Sequence, residues 1–301
     1  MLSGFVIASS YPPHKKTSVK KFLLYRFARL YPLHLATLIF VTILQFYSIL
    51  INGKTVVYPN HDFSTFFIHL LFLSGFFESF DGNGFSFNAP VWSVSLELMC
   101  YLTFAFMTSI GILNPRTTCS LLFLTFLLDN FSTLPDQLIR VNLFFFTGVL
   151  LYFLRAKKNL AQQCFCTLLS CFILGLSVND NPARIGDYFS SLQIYQYRYC
   201  VFFAVLILLL LKVESWVSAQ ASKLFVELGN LSYGIYLLHV PIQMALILTL
   251  QGLNRDVDDM ASTKLFIFSF LLIVLVWSWL VFKYYEEPSR QRIRRLLPNR
   301  E

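Results

Sequence analysis

The sequence is poor in charge. Asp, Glu, Lys and Arg make up 13% of its 301 residues, about half the share of a soluble globular domain. Acids are scarcer still, 16 against 24 Lys and Arg, for a formal net charge of +8. Metal-ligand patterns are missing as well. The six cysteines form no C-x-x-C pair, and Cys164-Phe-Cys166 is too tightly spaced for an ordinary zinc site. They read as small apolar residues, and no metal is expected. No internal repeat is evident, which removes the usual mark of a transporter built from related halves. Long polar loops are lacking too. The longest candidate, Asn179 to Arg198, is poor in the carboxylates and arginines expected of a membrane polymerase or glycosyltransferase. The apolar start, Met1 to Ala8, has neither a basic n-region nor a small-residue cleavage site, so it does not read as a cleavable signal peptide.

What is there is hydrocarbon. Hydrophobic residues make up 56% of the chain, with 33 Phe and 15 Tyr, and mean hydropathy is +0.61. The fold class expected is all-α, a polytopic transmembrane helix bundle of about eight or nine crossings plus a re-entrant segment. Apolar runs cover Leu30–Ile51, Val91–Leu113, Cys119–Phe131, Val141–Leu154, Cys164–Val178, Tyr199–Leu211, Phe225–Leu250 and Lys264–Tyr285. Ser64–Phe77 is too short for a comfortable span and reads as re-entrant. Met1–Ala8 is shorter again and reads as the end of a spanning helix.

Basic residues concentrate at two places. Six Lys and Arg lie between Lys15 and Arg29, and six more between Lys283 and Glu301. Both stretches abut apolar runs, which argues for a membrane and against nucleic acid, and by the positive-inside rule both are cytoplasmic. The Arg155–Lys158 loop is assigned to the same side. Parity then requires one short segment not to cross, with Ser64–Phe77 the first suspect and Cys119–Phe131 the second. The division expected is a membrane domain over residues 1–289 and a basic cytoplasmic tail over 290–301.

Within this frame a few polar residues stand out. Asn88-Ala-Pro-Val-Trp-Ser-Val-Ser-Leu-Glu97 opens a helix, with Asn88 as a cap and Pro90 just inside. Glu97 falls within the first two turns of a span, where an acid costs up to about 3 kcal/mol to insert and usually faces a polar cavity. Ser93 and Tyr101 sit four residues to either side, on the same face, with Trp92 adjacent. The alternative for Glu97 is a simple interhelical hydrogen bond. Arg26 and Arg29, three apart, present two guanidiniums together at the membrane surface. They suit a phosphate-bearing ligand through bidentate contacts, or equally lipid headgroups. His34 and His239 lie inside spans. Each reads either as an interhelical hydrogen-bonding residue or as a base. Gly229, Gly234 and Pro241 around His239 are expected to allow close packing and a kink.

Four separated stretches together resemble the acyltransferase-3 family of integral membrane acyltransferases. They are Leu2-Ser-Gly-Phe-Val-Ile-Ala8, Arg26-Phe-Ala-Arg-Leu-Tyr-Pro32, Asn88 to Glu97, and Leu228-Gly-Asn-Leu-Ser-Tyr-Gly-Ile-Tyr-Leu-Leu-His239; Glu287-Pro288 followed by arginines agrees with the family's ending. The resemblance implies a membrane O-acyltransferase. It would move an acyl group, acetyl by family habit, from acyl-CoA to a hydroxyl of a cell-surface glycan or lipid-linked sugar, with no bound cofactor. It implies a bacterial inner-membrane location. It also implies Arg26 and Arg29 as donor-binding residues. Glu97, His239 and His34 are then the catalytic candidates, and Trp92, Ser93, Tyr101 and Tyr233 line the site. Val94 departs from the commoner Leu of the W-S-x-x-x-E pattern. The family's presumed catalytic His lies on a helix before the Leu-Ser-Gly-Phe stretch, and nothing precedes Met1 in this sequence. The expectation is therefore weak activity that an upstream extension would restore. The alternatives carried beside it are a transporter or flippase of lipid-linked sugar or acyl donor, and an inactive membrane remnant.

Overall fold

Helices follow the apolar runs. The computed structural model describes residues 1–14, 18–58, 62–81, 86–131, 134–156, 191–213, 218–255, 257, 261 and 263–295, and the regular elements among them are helical. Five of the described helices are long and apolar enough to cross a membrane. The expected span Cys164–Val178 lies outside the described residues. The contacts divide the chain into two compact units, residues 1–19 with 99–217, and residues 20–98 with 218–301.

The first unit is built on α7, Asp136–Ala156, against which α1, Leu2–Ser10, and α6, Pro115–Phe131, pack. Glycine makes the α1–α7 contact tight. A Cβ on Gly4 would collide with the Phe145 carbonyl, and one on Gly148 with the Met1 carbonyl. Helices meet this closely in membranes where small residues let the backbones approach. The α8 helix, Ser191–Val213, joins through Tyr197, whose hydroxyl donates to Asp129 at 2.7 Å.

The second unit holds α2, Val19–Asn52; α3, Phe63–Leu70; α4, Ser74–Asp81; and the first turns of α5, Val91–Ser109. It also holds α9, Ala219–Gly252, and α10, Lys264–Val281. A π-helical turn, Phe282–Glu286, leads from α10 into α11, Glu287–Arg295, so the basic tail begins as helix. Hydroxyl caps start two of these helices. Ser218 accepts from the Ala221 amide and Thr263 from the Phe266 amide.

The segment Ser64–Phe77 divides into α3 and α4, eight residues each, or about 12 Å apiece, well short of a bilayer. The break is a Schellman-type turn: the Leu73 amide donates to Ile68 O and the Phe72 amide to His69 O. Phe72 occupies its left-handed position with φ of 57°, where glycine is usual. Gly75, just past the break, lies so close to α5 that a Cβ would meet the Trp92 carbonyl.

Helices α2 and α9 run side by side and parallel. Near one end the Tyr233 hydroxyl donates to Leu30 O at 2.7 Å, and at the other Asn52 donates to Gln251 at 3.0 Å. Leu38, Val41, Val240, Met244 and Leu248 fill the interior between these ties. Gln45 exchanges two hydrogen bonds with the backbone of Val56, which folds the chain after α2 back onto it. Gly234 on α9 rests on Ser278 of α10, as its expected packing role requires, whereas Gly229 has no atom near its Cβ position among the described residues. The span that begins at Lys264 is only 11% buried among the described residues, so most of the surface of α10 faces away from them.

Candidate functional site

Asn88 fixes where α5 begins. Its side-chain amide donates to Leu237 O on α9 at 3.0 Å, its Oδ1 has no partner among the described residues, and its own carbonyl accepts from the Val91 amide. The expected cap is thus a backbone one, and the side chain serves instead as a tie between α5 and α9. That tie sets Ser93 opposite Tyr236.

The Ser93 and Tyr236 hydroxyls are 2.7 Å apart, and Tyr236 donates to Pro90 O at 2.9 Å. The Ser93 hydroxyl also lies 3.2 Å from Pro90 O, so the two hydroxyls and this carbonyl form one cluster in which either hydroxyl can donate to the other. The Glu97 carboxylate, one turn along α5, lies within electrostatic reach of the same phenol. His239, three residues after Tyr236, brings its ring to 6.0 Å from the Tyr236 ring. Trp92, Ser93, Glu97 and His239 are half-buried and Tyr236 is 37% exposed. Sequence reasoning named Ser93, Glu97 and His239 but passed over Tyr236. The i, i+3 step from Tyr236 to His239 was the signal available for it.

Other expected site residues go elsewhere. The Tyr233 hydroxyl is taken up by Leu30 O, next to Pro32, whose ring interrupts the hydrogen bonding of α2. Tyr101 belongs to the other unit, where its hydroxyl meets Ser3 at 3.1 Å and its ring meets Phe145. His34 is wholly buried. Its Nε2 lies 2.8 Å from His69 O, so that nitrogen carries a proton, while Nδ1 has no partner among the described residues. Its ring stacks on Phe72 with centroids 4.1 Å apart. His69 in turn reaches Ser86 through Nε2 at 3.0 Å. The strained Phe72 and the His69 carbonyl therefore both act on His34.

The arginine pair sits where α2 meets the end of the chain. Tyr285 donates to Pro32 O at 3.1 Å, and the Arg294 guanidinium lies over the Tyr25 ring at 5.4 Å. Between these contacts the carboxyl of Glu286 is 2% exposed. It lies within electrostatic reach of Arg29, Arg290 and Glu287. Arg26, one turn before Arg29, covers the Phe22 ring at 5.5 Å. The burial of Glu286 and its closeness to Arg29 were not legible in the sequence.

No group of three or more His, Cys, Asp or Glu able to hold a metal occurs among the described residues. A family model described as an acyltransferase domain, acyltransferase-3, matches residues 1–283.

The chain belongs to the acyltransferase-3 family.

It is a membrane acyltransferase in the general sense that the family carries. No curated protein and no solved structure matches it. The R-x-x-R, W-S-x-x-x-E and S-Y-G-x-Y-L-x-H stretches of this acyltransferase-3 chain lie in one unit. Arg29 of the first lies within electrostatic reach of Arg290 on α11, and the second and third meet each other.

Proposed function

We propose that this protein moves an acyl group, acetyl in the simplest case, from acyl-CoA to a hydroxyl of a cell-surface glycan or lipid-linked sugar. The observation that carries the reading is the Ser93–Tyr236 hydrogen bond. It joins two helix faces, each bearing an ionisable group, in helices that are otherwise largely apolar. Such groups are expensive in hydrocarbon and are retained where chemistry needs them.

His239 is the base in this reading. It takes the proton of the acceptor hydroxyl as that oxygen attacks the thioester carbonyl, and the developing imidazolium is stabilised by the Glu97 carboxylate. The tetrahedral intermediate then collapses, the carbon–sulfur bond breaks, and the proton passes to the departing thiolate. Tyr236 and Ser93 orient the acceptor. Arg26 and Arg29 hold the phosphates of the donor, supplying binding energy far from the reacting carbon. His34 keeps a structural part, because its ring is buried and clamped. The location proposed is a bacterial inner membrane, with both basic ends in the cytoplasm, where acyl-CoA is made.

The deciding experiment supplies labelled acetyl-CoA to membranes holding the protein and follows both label on glycan and release of free CoA. Label transfer that falls about 10²-fold or more in His239→Gln and Glu97→Gln is the expected result. Movement of label across the membrane with no CoA released would replace the reading with transport.

A further inference from the structure

Helix α11 carries four arginines, and they do not behave alike. Arg292, Arg294 and Arg295 are exposed, as expected of side chains that reach for a membrane interface. Arg290 is turned inward. Its side chain is 16% exposed, and its buried Nε donates to no acceptor among the described residues. The π turn before α11 explains the difference. It carries one residue more than an α turn and so rotates everything after it by about 100°. With that rotation Glu286 and Arg290, four apart, face α2.

Charge at this point does not balance. Arg29 and Arg294 both act on Arg290 as like charges, against the carboxylates of Glu286 and Glu287. Glu287 forms an ion pair with Arg290 along the helix. Three guanidiniums, with Arg294 on the exposed side, thus lie near two carboxylates, where Glu286 is almost fully buried and its Oε2 has no partner among the described residues. Gathering like charges where water is partly excluded is unfavourable unless an anion joins them. Forked guanidiniums with free N–H groups match the oxygens of a phosphate.

We propose that Arg290 joins Arg29 in one anion site, and that the pair grips a phosphate group from the two sides of the α2–α11 junction. The inference rests on the donor role given to Arg29 above, with acyl-CoA as the phosphate-bearing ligand. An anionic lipid headgroup has the same chemistry, and the experiment separates the two.

The full chain is placed in phosphatidylcholine nanodiscs, and binding of coenzyme A and of pantetheine, its phosphate-free arm, is measured by calorimetry. Arg290→Ala is expected to weaken coenzyme A binding about 10-fold or more while leaving pantetheine binding unchanged. Arg290→Lys, which keeps charge but loses the fork, falls between, and guards against a folding defect in the alanine variant. Arg292→Ala, on the exposed side of the same helix, binds like the unaltered protein. Equal coenzyme A affinity in Arg290→Ala and Arg292→Ala overturns the inference and leaves the donor role of Arg29 standing. Failure of the unaltered protein to bind coenzyme A overturns both. Native mass spectrometry after exposure to phosphatidylglycerol reads the other source. Loss of that lipid from Arg290→Ala with coenzyme A affinity unchanged assigns Arg290 to headgroups and overturns the inference, with the donor role of Arg29 untouched.

Discussion

The Tyr236 phenol and the Ser93 hydroxyl lie 2.7 Å apart, and both reach Pro90 O, at 2.9 Å and 3.2 Å. This holds the W-S-x-x-x-E face of α5 against the S-Y-G-x-Y-L-x-H face of α9. Tyr236→Phe and Ser93→Ala are each expected to lower the rate of acyl transfer while leaving affinity for acyl-CoA unchanged. Their effects should not add, because both remove the same bond. Steady-state kinetics of the two single variants and the double variant check this. Additive losses would mean that the hydroxyls act separately.

Arg29→Ala is expected to raise the acyl-CoA concentration needed for half-maximal rate, with membrane insertion and maximal rate little changed. One guanidinium–phosphate contact contributes about 1.5–3 kcal/mol, or about 10- to 100-fold in affinity. Donor titration in membranes measures it. Unchanged donor dependence in both Arg26→Ala and Arg29→Ala would return the pair to lipid contact and topology setting.

Glycine substitutions should separate into two groups. Gly4→Ala and Gly148→Ala place a methyl against backbone carbonyls that cannot turn aside, and should each destabilise by about 1–3 kcal/mol. Gly229→Ala meets nothing within 4 Å and should be neutral or stabilising by about 1 kcal/mol through helix propensity. Thermal unfolding in detergent, followed by size-exclusion chromatography, ranks the three. A stable Gly148→Ala protein would mean that α1 does not press on α7.

His34→Ala should destabilise by about 2–4 kcal/mol, since it opens a cavity beneath Phe72 and removes a hydrogen bond to His69 O. His34→Gln can still donate to that carbonyl and should lose less. The same unfolding assay, run beside the transfer assay, tells packing from chemistry. A stable His34→Ala protein without activity would move His34 into the catalytic machinery.

The sequence made the long elements legible because lipid leaves few choices. A run of some twenty apolar residues must be helical, and α2, α5, α9 and α10 lie where such runs lie. The shortness of Ser64–Phe77 was legible for the same reason, and two eight-residue helices stand there. The grouping of Ser93, Glu97 and His239 followed from motif and spacing. What stayed hidden depends on pairs far apart in the chain. Asn88 donates to a carbonyl 149 positions away rather than capping its own helix. Tyr233, the phenol that the motif singled out, bonds to α2, while Tyr236 takes the place facing Ser93. The π turn that swings Glu286 and Arg290 inward is a one-residue change of register, and no periodicity in Phe282–Glu286 announces it.

The parallel course of α2 and α9 constrains the path of the chain between them. If both helices cross the membrane, α2 ends on the face opposite to the one from which α9 sets out. The stretch from Gly53 to Ser218 must therefore traverse the bilayer an odd number of times, whatever its helices do individually. Glycosylation-site or cysteine-accessibility mapping at Lys54 and Lys223 should find them on opposite faces. The same geometry returns the arginines that follow α10 to the face where Arg26 and Arg29 begin α2, so a single aqueous compartment serves both.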